Sequence, residues 1–284
     1  MKTPISYYGG KQTLASIILG LIPEHRIYCE PFLGGAAVFF VKQPSRIEVI
    51  NDTNGELINF YEVCRQDFSA LEKEIAISLH SRKKHHEAQI IYNNPEMFGR
   101  IKRAWAVWML ANSSYGCMLD ATFGYDRTGG TSKKLCNKRE EFTVDYAIRL
   151  QRVQIECCDA LRIIRSRDTE EAFHYLDPPY VGADQGHYDG YSQEDFDNLL
   201  RLLETIKGKF LLSSYRNKSL SEFTTRNGWH TVGIKMASSM TNRAMRPRDK
   251  IEVLTANYPI TVKFDEHSKK QLVSESEDTG IMEV

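Results

Sequence analysis

Residues 26–37 read Arg-Ile-Tyr-Cys-Glu-Pro-Phe-Leu-Gly-Gly-Ala-Ala, which is a short apolar strand followed by a glycine turn. A helical pattern follows at residues 35–42, and a second strand and helix are predicted at 46–51 and 54–65. Glycines in such a turn let the backbone approach a ligand, and the free N–H groups of the next helix face a polar or anionic group bound there. A glycine-rich connection without a ligand is the alternative for this segment alone.

Alternation of strands and helices resumes after residue 150. We predict strands at 153–157, 172–176, 209–214, 229–235 and 251–257, with helices at 193–206 and 218–226. Repeated units of this kind favour an α/β fold with a doubly wound, mostly parallel, Rossmann-like sheet that binds ligands at the carboxyl ends of its strands.

The stretch between these two halves has a different character, with two long amphipathic helical patterns and a polar loop. We therefore predict four parts: residues 1–65 as the first, cofactor-binding part of a catalytic domain, 66–150 as an inserted, mainly helical recognition domain, 151–264 as the second catalytic part, and 265–284 as a polar, flexible tail.

Composition excludes several classes of protein. The chain has 284 residues, of which 42% are hydrophobic and 26% charged, so fibrous and wholly disordered proteins are excluded. The longest apolar run, 104–111, is far shorter than the roughly 20 residues that span a bilayer, and the N-terminus lacks the apolar region of a secretory signal. We expect a soluble cytoplasmic protein, in a bacterial or phage-infected cell, that has no membrane partner.

An acid ends the second strand, in the segment Glu48-Val49-Ile50-Asn51-Asp52. Asp52 lies about 20 residues beyond the first turn, where a carboxylate accepts hydrogen bonds from the hydroxyls of an adenosine ribose. This spacing predicts a nucleoside-bearing cofactor and fits a dinucleotide and S-adenosylmethionine equally. A helix N-cap is the alternative role for Asp52.

A third segment, Asp177-Pro178-Pro179-Tyr180, follows the apolar strand 172–176. The two prolines donate no hydrogen bond and stiffen the chain, so the Asp177 carboxylate and the Pro178 carbonyl are held outward as a pair of acceptors. Such a pair suits an exocyclic NH2 group, whose lone pair then turns toward an electrophile. Tyr180 offers a ring on which a flat heterocycle can stack, a contact worth about 1 to 3 kcal/mol.

These segments, in this order, resemble the Dam-type DNA adenine-N6 methyltransferases, the D12 class. The family shares an N-terminal aromatic-x-Gly-Gly-Lys element, a Glu-Pro-Phe-x-Gly turn and an Asp-Pro-Pro-Tyr loop. Here they are Tyr7-Tyr8-Gly9-Gly10-Lys11, Glu30-Pro31-Phe32-Leu33-Gly34 and Asp177-Pro178-Pro179-Tyr180. The match in motif order covers residues 4–62 and 151–258. Ala36-Ala37 in place of a further Gly or Ser is a mild departure from the family pattern.

The resemblance implies S-adenosylmethionine as donor, no metal, and an adenine N6 in duplex DNA as acceptor. It implies catalytic roles for Asp177, Pro178 and Tyr180, and cofactor binding by Tyr7, Lys11, Glu30, Phe32, Gly34, Asp52 and Asp177. Two roles are equally favoured for Asp159: a contact with the cofactor adenine, or a cap of the helix that follows it.

Duplex DNA requires phosphate contacts and extrusion of the target nucleotide. Eight basic residues against two acids between residues 100 and 139 give a local charge of +6 in a chain whose 37 basic and 37 acidic residues balance. The residues proposed to bind DNA are Arg127, Lys133, Lys134, Lys138, Arg139, Arg243 and Arg246. Residues 120–135 are predicted to form a hairpin or flexible finger, whereas Trp105 and Trp108 are predicted to lie in the core.

Three alternatives use some of the same features. A nicotinamide-dependent dehydrogenase would share the glycine turn and the ribose acid but leaves the Asp-Pro-Pro-Tyr loop unexplained. A methyltransferase of the same fold could act on RNA adenine or on a protein amide, since both present an NH2 group. A non-catalytic DNA-binding subunit has no use for an acceptor pair that orients an amine. We expect the enzyme to be a monomer.

Overall fold

The computed structural model describes residues 1–181, 191–236, 250–260 and 272–274. Its strands are β1 (Ile27–Glu30), β2 (Ile47–Asn51), β3 (Gln154–Glu156), β4 (Ala172–Leu176), β5 (Lys209–Tyr215), β6 (His230–Met236), β7 (Lys250–Ala256) and β8 (Leu272–Ser274). Its α-helices are α1 (Ala15–Leu21), α2 (Ala37–Val41), α3 (Gly55–Gln66), α4 (Phe68–Ala76), α5 (Arg82–Asn93), α6 (Arg100–Ser113), α7 (Gly130–Glu140), α8 (Asp145–Leu150), α9 (Ala160–Arg167), α10 (Gln193–Leu203) and α11 (Lys218–Asn227).

The chain divides into two compact units, the first of which holds residues 1–19 and 30–163. Here β2 and β3 pair in parallel, with Ile50 opposite Ile155. The helix at the centre of this unit is α6, which packs against α3, α4 and α5 and is buried from Ala104 to Ser113. Trp108 is fully buried and Trp105 nearly so, which confirms the prediction that both belong to the core.

The prediction of two long helical stretches between residues 67 and 150 is wrong, because this region folds into the five helices α4 to α8. Local chemistry explains two of the breaks. Ser81 caps α5 by accepting a hydrogen bond from the amide of Lys84, since a serine side chain satisfies an N–H at the start of a helix. Further along, Pro95 and Gly99 flank the connection into α6.

The predicted hairpin or finger at residues 120–135 is also wrong, because α7 begins at Gly130. The Asp126 carboxylate accepts hydrogen bonds from the amides of Thr128, Gly130 and Thr131. Gly129 supplies a left-handed turn, with φ of +76°. Gly129-Gly130, which suggested the tip of a hairpin, therefore stands at the start of a helix. Asp126 accepts hydrogen bonds from the N–H groups that have no partner within the first turn of that helix.

The second unit holds residues 20–29 and 164–284. Its strands follow the order β1-β4-β5-β7-β6-β8. The pairs β1–β4 and β4–β5 are parallel, with Tyr28 opposite Phe173 in the first. The pairs β5–β7, β7–β6 and β6–β8 are antiparallel, so β1, β4, β5 and β6 run in one direction and β7 and β8 in the other. Every residue of β4 is buried.

These strands and helices confirm the α/β class with mostly parallel, Rossmann-like strands. The bounds of β1 to β7 agree with those predicted to within one residue at each end, whereas α10 ends at Leu203 instead of Ile206. Strand β8 was not predicted: it lies within residues 265–284, where the sequence predicted a flexible tail, and it pairs with β6. The division at residues 65, 150 and 264 stays a prediction, and most of the predicted tail lies outside the described residues. In the described part of the chain, no helix is long and apolar enough to cross a membrane.

Candidate active site

The glycine turn after β1 is closed by hydrogen bonds within the first unit. The amide of Gly34 donates to a carboxylate oxygen of Asp52 at 2.9 Å, and the hydroxyl of Tyr61 donates to the carbonyl of Gly34 at 2.9 Å. The amide of Leu33 donates to the carbonyl of Asn51. The turn is thus attached to the carboxyl end of β2 by both main chain and side chain.

Tyr7 packs directly against this turn, which explains why glycine is required there. A Cβ at Gly35 would lie 2.8 Å from Cβ of Tyr7, and one at Gly34 would lie 3.2 Å from the Tyr7 ring. Gly34 also adopts a positive φ of +46°, which glycine accepts more readily than other residues. The structure therefore brings together Tyr7, Gly34 and Asp52, three of the residues predicted to bind the cofactor.

Asp52 is 8% exposed, and backbone amides hold both of its carboxylate oxygens. One oxygen accepts from Gly34 and the other from Asn54 at 2.9 Å. Burial raises the pKa of Asp52, and these backbone hydrogen bonds oppose the rise. The alternative role of helix N-cap is wrong, because the side chain of Asn54 caps α3 by accepting from Glu56 and Leu57.

Three further predicted cofactor residues lie in the first unit. Lys11 is 7% exposed, and its ammonium donates to the carbonyl of Gly9 at 2.9 Å. Glu30 is 2% exposed at the end of β1, and Phe32 is half-buried in the turn. Lysine and glutamate side chains are seldom so deeply buried, which makes Lys11 and Glu30 unusual positions in the chain.

Asn51 is a residue that the sequence reasoning missed. Its amide nitrogen donates to the carbonyls of Pro31 and Cys158, both at 2.9 Å, and its carbonyl oxygen accepts from the amide of Cys158 at 3.0 Å. The side chain thereby joins the Glu-Pro-Phe turn to the loop that contains Asp159. The sequence did contain a signal for this role: a polar residue at the end of an apolar, buried strand must find hydrogen-bond partners.

Asp159 is exposed and accepts a hydrogen bond from the amide of Arg162 at 3.1 Å. The structure thus shows the capping role at the start of α9. Its contact with a cofactor adenine stays a prediction.

The Asp-Pro-Pro-Tyr loop lies in the second unit, directly after β4. The hydroxyl of Tyr180 lies 3.1 Å from Oδ1 of Asp177 and 2.9 Å from the hydroxyl of Ser213 on β5, and it is hydrogen-bonded to Glu252 on β7. The Tyr180 ring meets that of Tyr215 edge to face at 4.5 Å. Ser213 and Glu252 are therefore part of the loop's support, and no sequence motif indicated them.

The residues predicted to bind DNA separate into exposed and packed side chains. Arg127, Lys133 and Lys134 are exposed. Lys138 is 8% exposed, donates to the carbonyl of Thr3, and has a pKa that burial lowers to about 8. Arg139 donates to the carbonyl of Ser78 at 3.1 Å. The last two positions favour packing over phosphate contact, and Arg243 and Arg246 lie outside the described residues.

Arg82, His80, Phe123 and Tyr125 form an aromatic and cationic cluster that the sequence did not indicate. The guanidinium of Arg82 lies 4.7 Å from the ring centre of Tyr125 and 5.2 Å from that of Phe123. The ring of His80 is 4.5 Å from that of Phe123. Because Arg82 is more than forty positions from Tyr125, spacing alone predicts no contact between them.

The chain carries, in this order, a glycine turn after β1, Asp52 after β2 and the Asp-Pro-Pro-Tyr loop after β4, on an α/β fold typical of methyltransferases. The model of the D12 class N6 adenine-specific DNA methyltransferase family matches residues 7–238. The chain belongs to this family and is an adenine-specific DNA methyltransferase.

Two curated relatives agree with this assignment. The type II methyltransferase M1.LlaDCHI of Lactococcus lactis subsp. cremoris is 26% identical, with 88% of this chain and 93% of that protein covered. The type II methyltransferase M.MjaIII of Methanocaldococcus jannaschii is 26% identical over 76% of this chain and 85% of that protein. Among solved structures, the precorrin 8W decarboxylase of Methanobacterium thermoautotrophicum has a TM-score of 0.38 at 10% identity, with 86% and 87% covered.

Proposed function

We propose that the methyl donor is S-adenosylmethionine and that Tyr7, Lys11, Glu30, Phe32, Gly34, Asp52 and Asp159 bind it. Two observations in the first unit support this assignment. A Cβ at Gly35 would collide with Tyr7 and one at Gly34 would crowd the Tyr7 ring, so the glycine turn packs directly against a residue proposed to bind the donor. The buried Asp52 carboxylate, fixed by two amides, retains lone pairs for the ribose hydroxyls. When bound, the donor supplies a methyl carbon on a positively charged sulfur.

We further propose that Asp177, Pro178 and Tyr180 hold the target adenine. Its N6 amine donates one hydrogen to the Asp177 carboxylate and the other to the Pro178 carbonyl, while its ring stacks on Tyr180. Strands β1 and β4 are parallel neighbours, so their carboxyl ends lie at the same edge of the sheet. The Asp-Pro-Pro-Tyr loop follows β4 at this edge of the second unit.

The chemical step is a direct transfer. The N6 lone pair forms a bond to the methyl carbon while the carbon–sulfur bond breaks, and the electrons of that bond remain on sulfur. N6 then loses one proton, which the hydrogen-bonded Asp177 carboxylate is placed to accept. Most of the acceleration comes from orientation of donor and acceptor, an effect that can reach about 7 to 11 kcal/mol.

The target adenine must leave the duplex, because base pairing hides N6, and extrusion costs a few kcal/mol. We propose that Arg127, Lys133 and Lys134 contact DNA phosphates, since these basic side chains are exposed. Arg243 and Arg246 retain the same proposed role. Because one chain carries both proposed sets of residues, we propose a monomer as the active form.

The observation that carries this function is the Asp-Pro-Pro-Tyr loop at the end of β4, with Asp177 beside the Tyr180 hydroxyl. The test is incubation of the chain with S-adenosylmethionine labelled in its methyl group and with duplex DNA, RNA or protein. The DNA is taken from cells without adenine methylation. We expect label only in DNA, recovered as N6-methyladenine after digestion. Label in RNA or protein instead would contradict the proposal, and no transfer to any acceptor would favour a non-catalytic subunit.

A further inference from the structure

The side chain of Asn51 joins three segments of the first unit. Asn51 is the last residue of β2 and is completely buried. Its amide nitrogen donates to the carbonyl of Pro31, which follows β1, and to the carbonyl of Cys158, which follows β3, both at 2.9 Å. Its side-chain oxygen accepts from the amide of Cys158 at 3.0 Å. A carboxamide has two donor hydrogens and an acceptor oxygen, so main-chain groups engage both ends of this side chain.

The glycine turn depends on this side chain only in part. The amide of Leu33 donates to the main-chain carbonyl of Asn51 at 2.9 Å, and the amide of Gly34 donates to the Asp52 carboxylate at 2.9 Å. Neither of these hydrogen bonds involves the carboxamide of Asn51. The turn therefore stays attached to the end of β2 when the Asn51 side chain is removed.

The loop after β3 is held in a different way. The last residue pair of the parallel strands β2 and β3 is Asn51 with Glu156. Two residues further on, the Asn51 carboxamide bonds to both the N–H and the C=O of Cys158. A side-chain amide has the donor and acceptor pattern of a peptide group, so it extends the pairing of the two strands beyond their ends. Removal of this side chain therefore releases Cys158 from β2.

Asp159, the next residue, is the proposed contact to the adenine of the methyl donor. An ionised carboxylate only accepts hydrogen bonds, and the exocyclic amine is the donor group on the edge of an adenine. The contact must therefore be made with that amine. One Asp159 oxygen accepts from the amide of Arg162 at 3.1 Å, and a carboxylate has lone pairs for further hydrogen bonds. The cap and the amine contact are thus compatible.

We propose that Asn51 is a positioning residue for the methyl donor: by fixing Cys158 it sets the place of the Asp159 carboxylate, and thereby the preference of the site for an amino-substituted purine. A hydrogen bond weakens steeply as its distance and angle depart from the optimum, so a small shift of Cys158 is enough to lose the contact. This inference rests on the proposed function, in which Asp159 contacts the donor. It gives a role to a residue that lies outside the three sequence motifs.

The test compares two ligands of the full chain by isothermal titration calorimetry. One is S-adenosylhomocysteine, the product of the proposed reaction, and the other is S-inosylhomocysteine, in which a carbonyl replaces the purine amine. We expect the unaltered chain to prefer the adenosyl ligand about 10-fold to 100-fold, as for one hydrogen bond to a charged group. Asn51→Ala and Asp159→Ala should each reduce this preference to about threefold or less, because both remove the same hydrogen bond. The double variant should lose no more of the preference than Asp159→Ala does.

Asn59→Ala on α3 is the matched control. The Asn59 side chain is 9% exposed and donates to the carbonyl of Arg100 at 3.0 Å, so its removal also takes a hydrogen bond from a main-chain carbonyl. We expect Asn59→Ala to lower the unfolding temperature and to leave the ligand preference unchanged. Asn51→Ser is a milder second variant, since its hydroxyl can keep one hydrogen bond, and it should give an intermediate preference. It preserves the test if Asn51→Ala does not fold.

The outcomes separate this inference from the proposed function. If the unaltered chain prefers the adenosyl ligand but Asn51→Ala weakens both ligands equally, the asparagine is merely structural and the inference fails alone. It also fails if Asn59→Ala lowers the preference as much, since the loss then follows from general destabilisation. If Asp159→Ala keeps the full preference, the carboxylate does not contact the amine, and the inference fails together with that one proposed contact. If the unaltered chain binds neither ligand, the proposed donor site and the inference both fail.

Discussion

Asp52 and Asp177 are both acids that follow a buried strand of a parallel pair, yet the protein holds them differently. Asp52 is fixed by the main-chain amides of Gly34 and Asn54. Asp177 contacts a side chain, Tyr180, whose hydroxyl is itself held by Ser213 and Glu252 on two other strands. A hydrogen bond from a backbone amide is kept when the side chain of that residue is replaced. A hydrogen bond from a side chain is lost or altered when that residue is replaced. With the proposed roles, the comparison predicts a rigid site for the methyl donor and a site for the target base that side-chain substitutions can tune.

The sharpest test of this difference is Asp177→Asn. The asparagine side chain keeps the size of the carboxylate but replaces one acceptor oxygen by a donor NH2 group. The target amine therefore loses a hydrogen-bond acceptor, and the proton released from N6 loses the group proposed to accept it. We expect the rate of methyl transfer to fall at least about 1,000-fold, in the range seen when one group for orientation and proton transfer is lost. Single-turnover assays measure the rate, and isothermal titration calorimetry measures donor affinity, which should change little. A variant with near-normal methylation would refute the role of Asp177.

Asp52→Asn should have the reverse pattern of effects: weaker binding of the donor, with a nearly unchanged transfer rate. The side chain keeps its size but loses the charge that two amides stabilise, and one of its acceptors becomes a donor facing the Gly34 or Asn54 N–H. We expect donor binding to weaken about 10-fold to 100-fold, equivalent to roughly 1.4 to 2.7 kcal/mol. The transfer rate at saturating donor should stay within a few-fold. Calorimetry and donor-saturation kinetics check both statements, and a lower rate with unchanged affinity would reverse the roles of the two acids.

The two acids also differ in how far the sequence predicts them. Both were identified from their positions after predicted strands, and the strands themselves follow from runs of apolar residues such as Ile47–Asn51 and Ala172–Leu176. The supports were not predictable to the same extent. One of the two amides that hold Asp52 belongs to a motif glycine, Gly34. Ser213 and Glu252, by contrast, become neighbours of each other only through the pairing of β5 with β7, which no local pattern encodes.

The basic residues between positions 100 and 139 were also only partly predictable from the sequence. Charge alone grouped Arg127, Lys133, Lys134, Lys138 and Arg139, although the start of α7 at Gly130 places Lys138 against the carbonyl of Thr3 and leaves Lys133 and Lys134 exposed. Helical periodicity decides which lysines face solvent, and the sequence suggested a finger because Gly129-Gly130 is equally typical of a turn. The capping role of Asp126 required the structure.

Neutralising the exposed basic residues tests the proposed DNA contacts independently of the two acids. With Arg127, Lys133 and Lys134 all replaced by glutamine, we expect DNA affinity to fall about 10-fold near physiological salt. The slope of log K against log salt should become less negative by up to about 2.7, or about 0.9 for each lost phosphate contact. Filter binding across a salt series measures the slope. Lys138→Gln is the contrasting variant: it should lower the stability of the fold and leave the salt slope nearly unchanged. An unchanged slope would exclude this surface from DNA binding.

The smallest expected effect comes from Gly35→Ala, which tests whether the donor site is as rigid as its backbone contacts indicate. The added Cβ would lie 2.8 Å from Cβ of Tyr7, so the Tyr7 segment must shift. Because a tightly packed site resists an extra methyl group, we expect unfolding to become easier by about 1 to 3 kcal/mol and donor affinity to fall a few-fold, while the transfer rate at saturation is retained. Gly99→Ala is the matched control, since a Cβ there meets no atom within 4 Å. Equal thermal unfolding of the two variants would mean that the turn yields to substitution, and that Asp52 is held by a loop that adjusts around its ligand.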